Sequence, residues 1–146
     1  MHLTIFSDYT LRTLIYLALR RDTLCTIDDI ASAYKISENH LTKVVHQAAL
    51  AGDLQTVRGQ RGGLRLARAP QAINIGSILR RTEPDMEIAP CFGSGTTCVI
   101  QSACVLQEGL ADALAAFFAV LDSMTLADLI RPKRQLSRLL RLKPAA

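Results

Sequence analysis

Apolar side chains at Leu11, Leu14, Ile15, Ala18 and Leu19 recur at three- and four-residue spacing, which predicts a first helix starting near Ser7 or Asp8 and fading at Arg20-Arg21. Thr26 followed by Asp29 has the form of a capping box, so a short second helix is expected through about Tyr34 with Ile30 and Ala31 facing inward. Lys35-Ile36 makes the turn. Ser37 is the expected cap of a third helix through Leu50, whose buried stripe is Leu41, Val44, Val45 and Ala48 and whose end is marked by Gly52. Two short helices joined by a tight turn read as a helix-turn-helix.

The period then shifts from helix to strand. Leu54-Gln55-Thr56-Val57 and Leu64-Arg65-Leu66 alternate, and Arg58-Gly59-Gln60-Arg61-Gly62-Gly63 between them is rich in turn formers and cations, as a wing would be. Ala69-Pro70 interrupts the pattern, Asn74 can cap a short helix through Arg81, and Glu83-Pro84 ends it. Pro90, Gly93, Ser94, Gly95, Thr96 and Thr97 then deny a segment regular structure. From about Ala103 the residues Leu106, Leu110, Leu114, Phe117 and Leu121 mark a long helix, and Ala113, Phe118 and Val120 widen its apolar stripe beyond one face. Such a helix suits two packing partners, its own first half and a twofold mate; a central helix in a monomer is the alternative. Thr125 with Asp128 opens a last short helix, and beyond Arg131-Pro132 a frayed basic tail is expected, with Leu136, Leu139 and Leu140 able to form one amphipathic turn.

The fold class that follows is mainly α, a winged helix-turn-helix with a two-stranded wing and a long C-terminal dimerisation helix. Its expected parts are a DNA-binding domain over 1–81, a loop over 82–104, dimerisation helices over 105–130 and a basic tail over 131–146. At 146 residues, 49% hydrophobic and 21% charged, the chain is globular rather than disordered. The net charge of +4 hides an asymmetry that matters more. Lys35 to Arg81 holds eight Lys/Arg against two acids, whereas Thr82 to Ile130 holds seven acids and no Lys or Arg. The first half is suited to phosphates and the second to another protein surface. The N-terminus lacks a basic, apolar leader, and the longest apolar run, Ala113 to Leu121, falls well short of the ~20 residues a bilayer requires. A soluble, cytoplasmic protein is expected.

On the third helix, Glu38, Asn39, His40, Thr42, Lys43 and Gln47 occupy the polar face, which would enter the major groove of double-stranded DNA; Arg58, Gln60 and Arg61 would reach it from the wing. A merely solvated face is the plainer account of the same residues. The cationic wing beside the helix favours DNA.

Cys91, Cys98 and Cys104 lie in the segment without cations, and in a reducing compartment such thiols are ligands or redox groups before they are a disulfide framework. Three thiolates supply three of the four positions that zinc or an iron-sulfur cluster usually takes. The spacing Cys91-x6-Cys98-x5-Cys104 lacks the C-x2-C pairs of structural zinc modules, and no histidine follows His46, so a cluster is favoured over zinc without excluding it. Cys25 stands apart and reads as a small buried hydrophobe. A C-x-x-C pair, a nucleotide fingerprint and a Ser-His-Asp set are all missing, which argues against an enzyme.

Several stretches together carry a family resemblance: Phe6-Ser7-Asp8-Tyr9 with Leu11-Arg12, Asn39-His40-Leu41-Thr42-Lys43-Val44-Val45, Val57 through Leu66, Thr82-Glu83-Pro84, the three cysteines, and Thr125 through Leu129. In these the chain resembles, nearly end to end, the winged-helix iron-sulfur repressors, and among them the members that sense nitric oxide. The resemblance implies a homodimer with one 4Fe-4S cluster per subunit, 2Fe-2S being the variant, held by Cys91, Cys98, Cys104 and Asp8 of the partner subunit. It also implies a polar relay of Arg12 and Glu83 between cluster and DNA-binding domain, binding to a palindromic promoter, and release when nitric oxide nitrosylates the cluster. From the residues alone, the alternative for Asp8 is a plain helix-start carboxylate, and for Arg12 with Glu83 a surface ion pair. A regulator sensing iron-sulfur status or oxidants, or a zinc-stapled one, is the rival.

Overall fold

In the computed structural model, which describes residues 2–59, 61–93 and 98–142, the first helix α1 runs Ile5–Leu19. It starts earlier than its apolar spacing predicts because Thr4 caps it, its hydroxyl accepting the Ser7 N–H at 3.2 Å. Helix α2 (Ile27–Tyr34) has the expected capping box, with Thr26 Oγ1 accepting the Asp29 N–H at 3.0 Å and Asp29 Oδ2 accepting the Thr26 N–H at 2.7 Å. Replacing Thr26 by Ala is expected to remove about 1 kcal/mol of stability, read as a lower urea midpoint at unchanged slope. The turn is made by Lys35 in the left-handed region, at φ 55°. Helix α3 (Glu38–Leu50) follows with Leu41, Val44, Val45 and Ala48 buried; Ser37 stands at its N-cap position, but its side chain makes no capping hydrogen bond.

Strands β1 (Leu54–Val57) and β2 (Gly63–Leu66) pair antiparallel in the register Leu54 with Leu66 and Thr56 with Leu64. Cys25 adds a bridge on the far side of β2, its N–H donating to the Leu64 carbonyl at 3.0 Å and its carbonyl accepting the Leu64 N–H at 2.7 Å. The wing is thus fastened to the segment between α1 and α2. Burial pushes the Cys25 thiol up, partly opposed by Arg20, so it stays protonated, as a packed side chain rather than a ligand does.

Helix α4 (Ile75–Thr82) is capped by Asn74, whose Oδ1 accepts the Ser77 N–H at 2.9 Å. Within the cysteine segment, expected to lack regular structure, two short 3-10 turns form at Pro90–Phe92 and Gln101–Ala103; Ser94 to Thr97 lie outside the described residues. The long helix α5 spans Val105–Asp122, and α6 (Leu126–Leu129) opens on the expected Thr125/Asp128 capping box. The tail is not frayed through its described part. Helix α7 covers Lys133–Leu139, and Leu140 and Leu142 pack on the core of the helix-turn-helix. The spacing of Leu136, Leu139 and Leu140 held that helix; the cations around them disguised it.

Two cores share α1. Tyr16 and Leu17 face Cys25, Ile30, Leu41, Val45, Leu54 and Leu64, closing the winged helix. Leu14 and Ala18 face Ile73, Ile75, Ile78 and Leu126, which joins that unit to α4 and α6. Helix α5 leans back over α4: Arg80 forms a bidentate pair with Asp122 at 2.5 and 2.8 Å, and its guanidinium lies 4.1 Å from the Phe118 ring centroid. That pairing holds the Asp122 carboxyl below its ordinary range. On α5 the only buried side chain is Phe118, while Val105, Leu106 and Val120 are 78%, 70% and 61% exposed.

Candidate functional site

Cys91 lies in the first 3-10 turn and Cys104 at the N-cap position of α5. The Gln107 side-chain amide, on the first turn of α5, donates to the Cys91 carbonyl at 3.3 Å. The two outer cysteines of the triad are thereby held at the same end of α5, although they are far apart in the loop. Cys98 is exposed, and Cys91 and Cys104 are half-buried. Among the described residues, no group of three or more His, Cys, Asp or Glu side chains converges to hold a metal ion within this chain. Three soft sulfur donors in a loop without competing cations fit an iron-sulfur group in chemistry, and completing the set requires the loop to close up and a further ligand to arrive.

Asp8 lies on the first turn of α1, where it is paired with Arg12: Arg12 Nε donates to Asp8 Oδ1 at 2.9 Å, and a second contact of 2.9 Å joins the other oxygen. Both side chains are about two-fifths exposed, at 43% and 40%. Glu83 does not share that pair. Its Oε1 accepts the Thr4 N–H at 2.9 Å and the Thr4 hydroxyl at 3.2 Å, closing the start of α1 against the end of α4. Arg12 instead lies 5.6 Å from the Tyr34 ring centroid, at the end of α2. Burial pushes the Tyr34 hydroxyl up to about 12, which keeps it protonated. Tyr9, next to Asp8, places its ring centroid 6.1 Å from that of His40 on α3. The turn of α1 that carries Asp8 therefore touches both helices of the helix-turn-helix.

Asn39, His40, Thr42, Lys43 and Gln47 are all exposed on α3. The Thr42 hydroxyl donates back to the Glu38 carbonyl at 2.9 Å. Arg58 and Arg61 are exposed at the wing tip, and Gln60 lies outside the described residues. The tip depends on glycine. Gly59 takes φ 118°, and a Cβ on Gly62 would overlap the Val57 and Gly59 carbonyls. Arg65, on β2, is turned to its cross-strand partner, donating to Gln55 Oε1 at 3.0 and 3.1 Å.

One polar feature escaped the sequence reading. Asp53, fully buried on the turn between α3 and β1, is ion-paired with both Arg68 and Arg81. A sign of it was present: Asp53 is one of two acids in the otherwise cationic stretch from Lys35 to Arg81, and it directly follows the helix-ending Gly52. What could not be read was that two arginines, from beyond the wing and from α4, converge on it.

A model of the family described as Rrf2, iron-dependent transcriptional regulator, matches residues 3–132. The chain belongs to the Rrf2 family. Among Rrf2 relatives it is 44% identical over 146 residues to the HTH-type transcriptional regulator NsrR of Halalkalibacterium halodurans, spanning 99% of this chain and 100% of that one. With NsrR of Bacillus subtilis the identity is 45% over 145 residues, spanning 98% and 99%. Of the solved structures, T. potens IscR matches with a TM-score of 0.74 over 100% of this chain and 94% of that one; at 22% identity this speaks for the fold alone. CymR of B. subtilis, titled the global cysteine regulator, matches at 0.69 with 28% identity, over 88% and 95%. This Rrf2 chain is a mainly helical winged-helix transcriptional regulator, not an enzyme, and no helix among its described residues is long and apolar enough to cross a membrane.

Proposed function

We propose that this Rrf2 regulator is a homodimeric repressor of palindromic promoter DNA that holds one 4Fe-4S cluster per subunit and lets go of DNA in response to nitric oxide. The observation that carries this reading is the pinning of Cys91 to the first turn of α5, beside Cys104, in a cation-free loop of a chain about 44% identical to regulators named NsrR. Cys91, Cys98 and Cys104 would be the thiolate ligands and Asp8 of the partner subunit the fourth. When bound, the cluster supplies irons open to attack by nitric oxide, most readily at a position held by carboxylate rather than thiolate.

The chain's own residues account for the rest. The apolar side of α5, exposed at Val105, Leu106 and Val120, supports a second copy as its cover, since a soluble monomer seldom leaves so continuous an apolar helix in water. Asp8 is accessible enough to leave Arg12 for the partner's site. Its withdrawal would alter the contacts that Arg12 makes with Tyr34 and Tyr9 with His40, both of which end on the helix-turn-helix. Asn39, His40, Thr42 and Gln47 would read base edges, while Lys43, Arg58, Gln60 and Arg61 contact phosphates. A tenfold change in promoter affinity needs only about 1.4 kcal/mol between the two arrangements.

Anaerobic purification with iron and sulfide analysis, followed by nitric oxide titration against DNA upstream of the chain's own gene, tests the proposal. A coloured dimer that releases this DNA as nitric oxide is added is the expected result. A colourless, zinc-loaded protein of full affinity would overturn it. A cluster protein indifferent to nitric oxide but responsive to cluster loss or oxidants would replace nitric oxide sensing by sensing of iron-sulfur status.

A further inference from the structure

We propose that Asp53 and Arg81 form the latch through which the cysteine loop and the start of α1 set the position of the recognition helix and wing. The inference rests on the proposed switch and assigns it a path. Arg81 occupies the last turn of α4, immediately before the loop that carries the cysteines. Its neighbour Thr82 accepts the Ser7 hydroxyl at 2.7 Å, and Glu83 accepts the Thr4 N–H at 2.9 Å. The end of α4 is therefore clamped to α1 on the turn that carries Asp8. Whatever moves the loop or the start of α1 therefore also bears on Arg81.

On the other side, Asp53 belongs to the DNA-reading elements. Its N–H donates to the Ala48 carbonyl of α3 at 3.0 Å, and its carbonyl accepts the Ala67 N–H beyond β2, also at 3.0 Å. One guanidinium is enough to neutralise one carboxylate, and Arg68, just past the wing, already pairs with it. The second pair, to Arg81, is a polar contact that crosses from α4 to the junction of α3 and β1. A fully buried carboxylate needs at least one counter-charge, and with two guanidinia on it the Arg81 pair can be either made or broken. Arg68 lets the broken state exist without leaving Asp53 unpaired. Arg81 is on this account a positioning residue, since it acts on DNA binding only through Asp53.

The test compares cluster-loaded and stripped full-length protein binding a duplex from upstream of the chain's gene. In the wild type the loaded form is expected to bind at least about tenfold tighter. Arg81→Gln should shrink that ratio to about twofold or less by weakening the loaded form, Arg81→Lys should retain most of it, and Arg68→Gln should shrink it from the other side, because Asp53 then cannot release Arg81 and the stripped form binds more tightly. A wild-type ratio that survives intact in Arg81→Gln would overturn the latch and leave the proposed function standing. A fall in the loaded form's affinity in Arg68→Gln would overturn it too, by making the node a structural brace. If the wild type shows no ratio, the proposed switch fails and the latch with it. Should Arg81→Gln not fold, amide exchange on the wild type decides: stripping the cluster must loosen Ala51 to Asp53 and Leu64 to Arg68, and unchanged protection there refutes the proposal.

Discussion

Raising the salt from about 50 to about 200 mM is expected to weaken binding of the proposed dimer to non-specific duplex DNA by about a thousandfold. The magnitude follows from counterion release at about six phosphate contacts per dimer, three from each protomer. Lys43, Arg58 and Arg61 are the natural contributors, because all three are exposed and lie on α3 or the wing tip. Other nearby arginines are already committed: Arg65 to Gln55, Arg68 and Arg81 to Asp53, and Arg80 to Asp122. Arg61→Ala should lower the slope of log affinity against log salt by about 1.8, one contact on each protomer. Fluorescence anisotropy over a salt series measures both. A flat response would remove the wing from the DNA interface and leave α3 without its electrostatic support.

The parts of the fold legible in the sequence are those whose signals are local. Capping pairs such as Thr26/Asp29 and Thr125/Asp128, the stripe of α3 and the alternation around Gly62-Gly63 each lie within one turn of their element, and the structure realises them. Helix α1 was half legible. Its stripe of Leu14 and Ala18 predicts one core, but Tyr16 and Leu17, outside that stripe, pack into a second, so no single amphipathic face describes it. Helix α7 was misread because five cations between Arg131 and Arg141 resemble a solvated tail, whereas Leu140 and Leu142 find the winged-helix core. The candidate site divides in the same way. The cysteines announce themselves by residue type, but the pairings of Asp53 with Arg81 and of Glu83 with Thr4 span distances in sequence that no periodicity encodes.

Replacing Cys98 by Ala is expected to abolish retention of iron and sulfide, whereas Asp8→Ala should keep a substantial part of both. The difference follows from ligand chemistry. A thiolate is a strong, soft donor to iron, and with Cys91 and Cys104 alone the loop would offer two protein ligands, too few to hold a cuboidal core against solvent. A carboxylate from the partner would be the weaker bond, so its loss would leave three thiolates in place. The fold itself should tolerate the Asp8 change. The Asp8–Arg12 pair is an accessible contact between residues one helical turn apart, of a kind worth a few tenths of a kcal/mol. Iron and sulfide analysis of the anaerobically purified variants, with a urea titration of each, separates ligand loss from unfolding. Full iron content in Cys98→Ala would refute the thiolate assignment. Complete loss of iron from a well-folded Asp8→Ala would instead make the partner's carboxylate the ligand on which cluster retention depends, and the dimer itself a condition for holding the cluster.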